Sequence, residues 1–155
     1  MFKQFSLTCL FFSGCYYLTS FPAIAQVNSI SFTSIVVSPP IALTPNTALP
    51  PTIIGKANVR SDDKNGFTVS AESTNGGSLK RISGEAIAYI LTYNGIEQGQ
   101  LTAKKVLEDV SSLIADCSAQ NGCDREIKIA ISQTAIAAKP AGSYTDQITF
   151  TLIAK

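Results

Sequence analysis

The sequence predicts an all-β fold, an antiparallel β-sandwich with Greek-key connections. Three observations predict it. Apolar and polar residues alternate along several short stretches, which is the pattern of strands that bury one face. Turn-forming Asn, Gly and Asp residues recur between these stretches. No stretch has the strand–helix–strand order of a parallel α/β fold.

The first 25 residues have the features of a secretory signal peptide. They contain a cation at Lys3, an apolar stretch over 7–17 and small residues at 23–25. The alternatives are a transmembrane anchor, for which the apolar stretch is short, and lipoprotein processing at Cys15. We therefore exclude 1–25 from the fold and expect an exported protein that resides in the periplasm, at the cell surface or outside the cell.

The remaining chain, 26–155, has 130 residues, a length that suits one domain. Without Lys3 it carries eleven basic and eleven acidic residues. This balance gives no electrostatic support for nucleic-acid binding. No later apolar stretch is long enough to predict a stable membrane span in the mature chain.

The N-terminal part of the mature chain divides into a strand and a linker. Residues 26–38 are rich in β-branched side chains, and Ile30, Phe32 and Val36 fall on one face of an extended chain. Five prolines follow within 39–52 and predict an extended linker instead of a helix or a central strand. The β-sandwich domain is then expected over 53–155.

Alternation and turn residues place the strands in the first half of this domain. Residues 53–60 and 67–72 alternate around a polar turn at 61–66, which predicts a hairpin. A second turn is expected at 75–77, where Asn-Gly-Gly tolerates positive φ. Another alternating run spans 87–93, and the following Asn-Gly pair predicts a type I′ hairpin into 96–101.

The second half of the domain contains one ambiguous stretch. Apolar residues over 104–114 are spaced as in a helix, but a strand pair fits them nearly as well. Cys117 and Cys123 are expected to form a disulfide in an exported chain. Closing so short a loop contributes about 2–2.5 kcal/mol. The alternative is that the two cysteines bind a metal ion, but the sequence has no His to complete such a site.

The sequence contains no complete motif for a catalytic, cofactor-binding or metal-binding site. Absence of His removes the commonest general base and zinc ligand. Ser61 to Lys64 has the S-x-x-K spacing of acyl enzymes but lacks their companion motifs. The stretch 61–72 half-matches a calcium loop, with Ser61 in place of the leading Asp. We therefore expect no enzyme and no cofactor.

The most informative run lies at 139–152, where Pro-Ala-Gly-Ser-Tyr-Thr-Asp precedes an alternating, Thr-rich strand. Such a turn can direct the Tyr144 hydroxyl back to the preceding loop, as in the tyrosine corner of Ig-like Greek-key sandwiches. The run resembles the end of spore coat protein U-type domains and of chaperone–usher pilus subunits. Looser similarity to these families extends over 53–155.

This resemblance implies an incomplete Ig-like sandwich whose missing strand comes from a periplasmic chaperone and then from the next like subunit. It makes Ile30, Phe32 and Val36 candidates for a donor strand. The tyrosine corner and terminal strand, which border the acceptor groove, are Tyr144, Ile148, Phe150 and Leu152.

The expected function is a secreted or cell-surface structural subunit of pilus or coat type that assembles by donor-strand complementation. The alternative is a monomeric secreted binding module of the same sandwich class, with ligand recognition by the loops 61–66 or 73–78. The two differ in whether 27–37 completes its own core or a neighbour's.

Overall fold

A computed structural model describes residues 27–34 and 41–155, and the expectations for 1–26 and for Val36 lie outside them. The described residues form ten strands and two short helices. In chain order they are β1 (Asn28–Ser34), β2 (Leu49–Ser61), β3 (Phe67–Ser73), β4 (Ser78–Lys80), β5 (Ala86–Ala88), β6 (Ile90–Tyr93), β7 (Ile96–Gly99), β8 (Lys105–Asp109), α1 (Ala115–Ser118), β9 (Cys123–Ile131), α2 (Gln133–Ile136) and β10 (Ile148–Ala154).

The strands form an antiparallel sandwich. One sheet has the order β1-β2-β9-β6-β7, the other β10-β3-β8, and β4 and β5 make a small separate pair. Alternating residues of both main sheets point inward, because successive side chains of a strand face opposite sides. Their buried core consists of aliphatic and aromatic side chains, with Val59, Val69, Leu91 and Ile127 fully enclosed. The all-β sandwich expected from the sequence is therefore confirmed.

The pairing order corresponds to the immunoglobulin arrangement, in which one sheet holds strands A, B, E and D and the other holds C, F and G. β1, β2, β9 and β6 take the A, B, E and D positions, while β3 and β10 take C and F. None of the described strands is hydrogen-bonded to β10 at the G position, although β1 and β10 are in contact. Within the described part of the chain, β10 is therefore an edge strand of its sheet.

The expected hairpin around 61–66 is wrong. β2 and β3 belong to different sheets, so this loop crosses the sandwich. Gly66 has a φ of 89°, and a Cβ there would lie 2.2 Å from the Val110 carbonyl oxygen. The period-two pattern identifies the buried face of each strand but does not reveal which strand pairs with it. A tight turn between two strands was therefore not enough to predict a hairpin.

The helix considered for 104–114 is absent from these described residues. β8 occupies Lys105–Asp109 instead, and the short α1 begins only at Ala115. Leu107 is buried, whereas its neighbour Val106 is 54 % exposed. The helical spacing arose because this stretch contains a strand followed by a bend, with apolar residues on both faces.

The linker predicted for 39–52 ends earlier than expected, because β2 begins at Leu49. Pro50 and Pro51 lie where the register with β9 shifts between Leu49 and Thr52. β1 pairs only with Gly55–Ser61, so the prolines lie in a part of β2 that has β9 as its one described partner. Proline is tolerated at such irregular, edge-like positions because its missing N–H is not needed there.

Candidate functional site

The polar loop 61–66 is internally bonded. The Ser61 hydroxyl donates to Asn28 Oδ1 at 2.6 Å and accepts from the Asp63 N–H at 3.3 Å. Asp63 in turn accepts from the Asn65 N–H at 2.8 Å. Over residues 27–34 and 41–155, no group of three or more His, Cys, Asp or Glu is placed to hold a metal ion. Ser61, Asp63 and Asn65, which belong to the S-x-x-K and calcium-loop spacings, are thus hydrogen-bonded to one another and to Asn28.

The segment that leads into β10 forms a corner around Tyr144. The Tyr144 hydroxyl donates to the Pro140 carbonyl oxygen at 2.8 Å, four residues upstream. That contact has the geometry of a tyrosine corner at the entry to strand F. Beside it, Lys80 and Thr145 exchange two backbone hydrogen bonds of 2.8 and 2.9 Å. Both contacts fix the path of the chain just before β10.

Asp146 ties the start of β10 to the end of β3. Its carboxylate accepts hydrogen bonds from the hydroxyls of Ser73 and Tyr89, both at 2.6 Å, and from the Asn75 N–H at 3.0 Å. Burial, followed by the hydrogen bond to Asp146, raises the pKa of Tyr89 well above its ordinary value. Sequence reasoning missed this role of Asp146, because its partners lie more than 50 residues away.

An apolar groove opens between the first sheet and this corner. It consists of two adjoining cavities of about 880 and 310 Å³. The smaller one lies between Ile54 on β2 and Ile148 on β10. Both cavities share four lining residues, which are Leu79, Ile129, Tyr144 and Thr145. The groove therefore lies beside the entry to β10: the larger cavity is bounded by 41–49, β5, β9, α2 and 139–145, and β10 contributes Ile148 to the smaller one.

Incomplete burial along β10 marks the same open side. The core-facing residues Ile148, Phe150 and Leu152 are only half-buried, whereas their counterparts Val69 and Ala71 on β3 are fully buried. Tyr144 is also half-buried. The structure thus places the predicted terminal-strand residues on one strand and its entry corner, and of these Tyr144 and Ile148 line the groove.

The backbone N–H and C=O groups of alternate β10 residues point to opposite edges of the strand. The Lys155 N–H donates to the Gly66 carbonyl, and the Gln147 carbonyl accepts from the Thr74 N–H. Opposed residues in antiparallel strands alternate between hydrogen-bonded and non-hydrogen-bonded pairs. Odd-numbered residues of β10 therefore direct their backbone groups to β3, and Leu152, an even-numbered residue, directs its N–H away from β3, toward the open edge of β10.

The candidate donor residues lie partly in β1. Ile30 is half-buried and packs against the core, opposite Val59. The backbone of Phe32 lies opposite Ala57, and Val36 is outside the described residues. β1 is held further by hydrogen bonds between Val27 and Asp62, of 2.8 and 3.2 Å. In this structure β1 extends the first sheet of its own chain.

The opposite end of the sandwich carries the disulfide and an ion-pair cluster. Cys117 and Cys123 are bonded, as predicted, with their Cα atoms 4.5 Å apart. Arg125 contacts Cys117 Sγ at 3.5 Å and forms a salt bridge of 2.7 Å with Glu108. Nothing in the sequence pattern indicated this pair. Its members lie on β8 and β9, which alternation alone does not bring together.

None of the helices in the described part of the chain is long and apolar enough to cross a membrane.

Comparison with known proteins does not identify a family for this chain. No protein-family model matches this chain, and no curated protein matches it.

Proposed function

We propose that this chain is a secreted or cell-surface structural subunit of pilus or coat type that assembles by strand addition beside β10. The observation that carries the proposal is the coincidence of two features on one side of the sandwich. No described strand pairs with β10 at the G position, and the apolar groove opens at the entry to that same strand. An added strand gains main-chain hydrogen bonds while its alternate side chains fill such a groove.

The proposed donor is residues 26–38 of a second copy. Burial is described for 28–31 of β1, where Ile30 is half-buried and the other three residues are exposed. These four residues can therefore leave the sheet with little loss of buried apolar surface. Fourteen residues, 35–48, separate β1 from β2 and can span about 46 Å when extended. This reach is long enough for β1 to leave its own sheet and enter a neighbour.

A periplasmic chaperone is proposed as the transient partner that occupies the groove before assembly. An exposed apolar groove beside an edge strand would otherwise promote aggregation. Export from the cytoplasm is part of the same proposal. The disulfide between Cys117 and Cys123 supports it, because disulfides persist in oxidising compartments.

The alternative is a monomeric secreted binding module that β1 closes in cis. A specific observation favours it, since β1 pairs with β2 in register from Asn28–Ser61 to Ser34–Gly55. Its ligand would then be recognised by loops such as 61–66 or 73–78. Several polar groups of those loops are already hydrogen-bonded within the protein, for example Ser73 and Asn75 to Asp146. The internal bonding leaves fewer groups for a ligand, so we rank this function second.

The edge of β10 offers a matched test of the proposal. Leu152→Ala and Leu152→Pro both remove the half-buried Leu side chain, but only proline removes the N–H that points to the open edge of β10. Proline is tolerated at strand edges, so the two variants should unfold at similar urea concentrations. We expect Leu152→Ala to assemble and Leu152→Pro to remain as single chains on light scattering. Equal assembly of both folded variants would refute strand addition at this edge.

A further inference from the structure

The segment Ile41–Pro45 forms one wall of the larger cavity. Ile41 and Leu43 are half-buried and pack against the core, whereas Ala42 and Thr44 are exposed. This alternation has the period of two that a strand lying in the groove would show. We call Ile41–Pro45 the strap. The seven residues of β10 can pair with about half of a donor that spans 26–38, and the rest of the donor would extend past Tyr144 into the cavity that the strap lines.

Side-chain packing holds the strap, with little help from its backbone. Within described residues 41–48, the recorded backbone hydrogen bond is a local one, from the Thr47 N–H to the Thr44 carbonyl at 3.2 Å. None of these residues belongs to a strand ladder. An incoming strand would form ladder hydrogen bonds that the strap lacks. A strap of this kind can therefore be displaced without breaking a sheet.

We propose that the strap is a cis occupant of the groove that competes with the incoming strand. The inference rests on the proposed function, because it concerns the regulation of the same groove. While Ile41 and Leu43 cover the cavity, the groove is shielded from premature association. A donor strand must displace both side chains before it can reach Ile129 and Ile131 at the cavity wall. The strap thus lowers the affinity of the groove for any donor.

Titration of a synthetic peptide with sequence 26–38 into the single-chain fraction of the exported protein, isolated on a sizing column, tests the competition, because the groove of an assembled subunit is already occupied. The variant Ile41→Ser/Leu43→Ser weakens strap packing, and the control Thr44→Ser/Thr47→Ser changes two exposed positions that do not line the cavity. We expect the weakened strap to bind the peptide about tenfold more tightly than the parent, which corresponds to about 1.4 kcal/mol. The control should bind like the parent.

The outcomes separate the inference from the function on which it rests. If parent, control and weakened strap bind the peptide equally, competition by the strap is refuted while strand acceptance stands. If none of the three binds it, both fail. Urea unfolding of each variant establishes that the compared proteins are folded.

A fluorescent reporter provides a second measurement. The chain contains no Trp, so Leu43→Trp introduces a single reporter in the strap. Displacement by the peptide should shift its emission to the red as the indole enters water. A bound peptide with unchanged emission would contradict displacement of the strap.

Discussion

Arg125 on β9 holds Glu108 on β8 with two hydrogen bonds, of 2.9 Å from Nε and 2.7 Å from Nη2. The Tyr93 hydroxyl donates to the same carboxylate at 2.9 Å. The two charged side chains are only 14 % and 16 % exposed. Since β8 and β9 belong to different sheets, this cluster joins the two layers of the sandwich near the disulfide.

Removing Arg125 should destabilise the fold by a measurable amount. Arg125→Met leaves the Glu108 carboxylate largely buried without its cation, which costs about 2–3 kcal/mol. Lys56→Met is the matched control, because its salt bridge to Asp124 is exposed and such pairs contribute about 0–1 kcal/mol. Urea unfolding measures both free energies. Equal losses for the two variants would show that the inter-sheet pair contributes no more than a surface pair.

Stability should decline at alkaline pH because of two buried tyrosines. Burial is the main cause that raises the pKa values of Tyr89 and Tyr93, and Glu108 adds to it for Tyr93. Their protons are retained in the fold while the unfolded tyrosines ionise near about pH 10. The stabilisation is therefore complete below that pH and is lost above it, by about 1.4 kcal/mol per pH unit for each tyrosine.

Tyr93→Phe should reduce this alkaline slope by the contribution of one tyrosine. Urea unfolding between pH 8 and about 11.5 measures the slope, with pH values chosen on both sides of the ordinary tyrosine pKa. Absorbance of tyrosinate in the folded protein provides an independent check. A wild-type slope that Tyr93→Phe leaves unchanged would contradict the assignment.

Two adjacent glycines should differ sharply in their tolerance of alanine. Both have positive φ, 64° at Gly76 and 72° at Gly77, so alanine strains the backbone in each case. A Cβ at Gly77 would also lie 2.6 Å from the Leu101 backbone nitrogen, whereas nothing lies within 4 Å at Gly76. Gly77→Ala should therefore cost at least about 1 kcal/mol more than Gly76→Ala in thermal unfolding. Similar losses of stability for the two variants would mean that the turn at 75–77 and residues 100–101 can move apart at little cost.

Replacing the disulfide should lower stability without unfolding the domain. Cys117→Ser/Cys123→Ser removes a constraint on a short loop, for which the loss is about 2 kcal/mol. The loop keeps other contacts, since the Asn58 amide donates to the Asn121 carbonyl at 2.9 Å and to Asp124 at 2.8 Å. Circular dichroism should retain the β-sheet spectrum. Loss of that spectrum would show that the disulfide is required for folding.

Local features of the fold could be predicted because they depend on neighbouring residues. Alternation identified the buried faces, as at Ile127, Ile129 and Ile131, all of which are in the core. The type I′ turn expected between β6 and β7 is present, with φ values of 48° at Asn94 and 80° at Gly95. These positive φ values are easiest for Asn and Gly, which is why the sequence indicates them.

Features that depend on distant pairing could not be predicted. β2 and β3 looked like a hairpin, yet they lie in different sheets, because alternation does not identify the partner strand. The contacts of Asp146, just before β10, join Ser73 at the end of β3 and Tyr89 between β5 and β6, which are distant in the chain. The resemblance of 139–152 to pilus-type domains indicated the corner and terminal strand, but not the strap that forms one wall of the groove.

The most direct test of the account is the mass distribution of the exported chain, measured by light scattering on a sizing column after purification from an oxidising compartment. The account predicts polymers that persist on dilution, or a stable complex with a chaperone. It also predicts that deletion of residues 26–38 abolishes polymers while the domain stays folded. A folded wild-type monomer with the mass of one chain would contradict strand-exchange assembly, as would a domain that unfolds when 26–38 is removed.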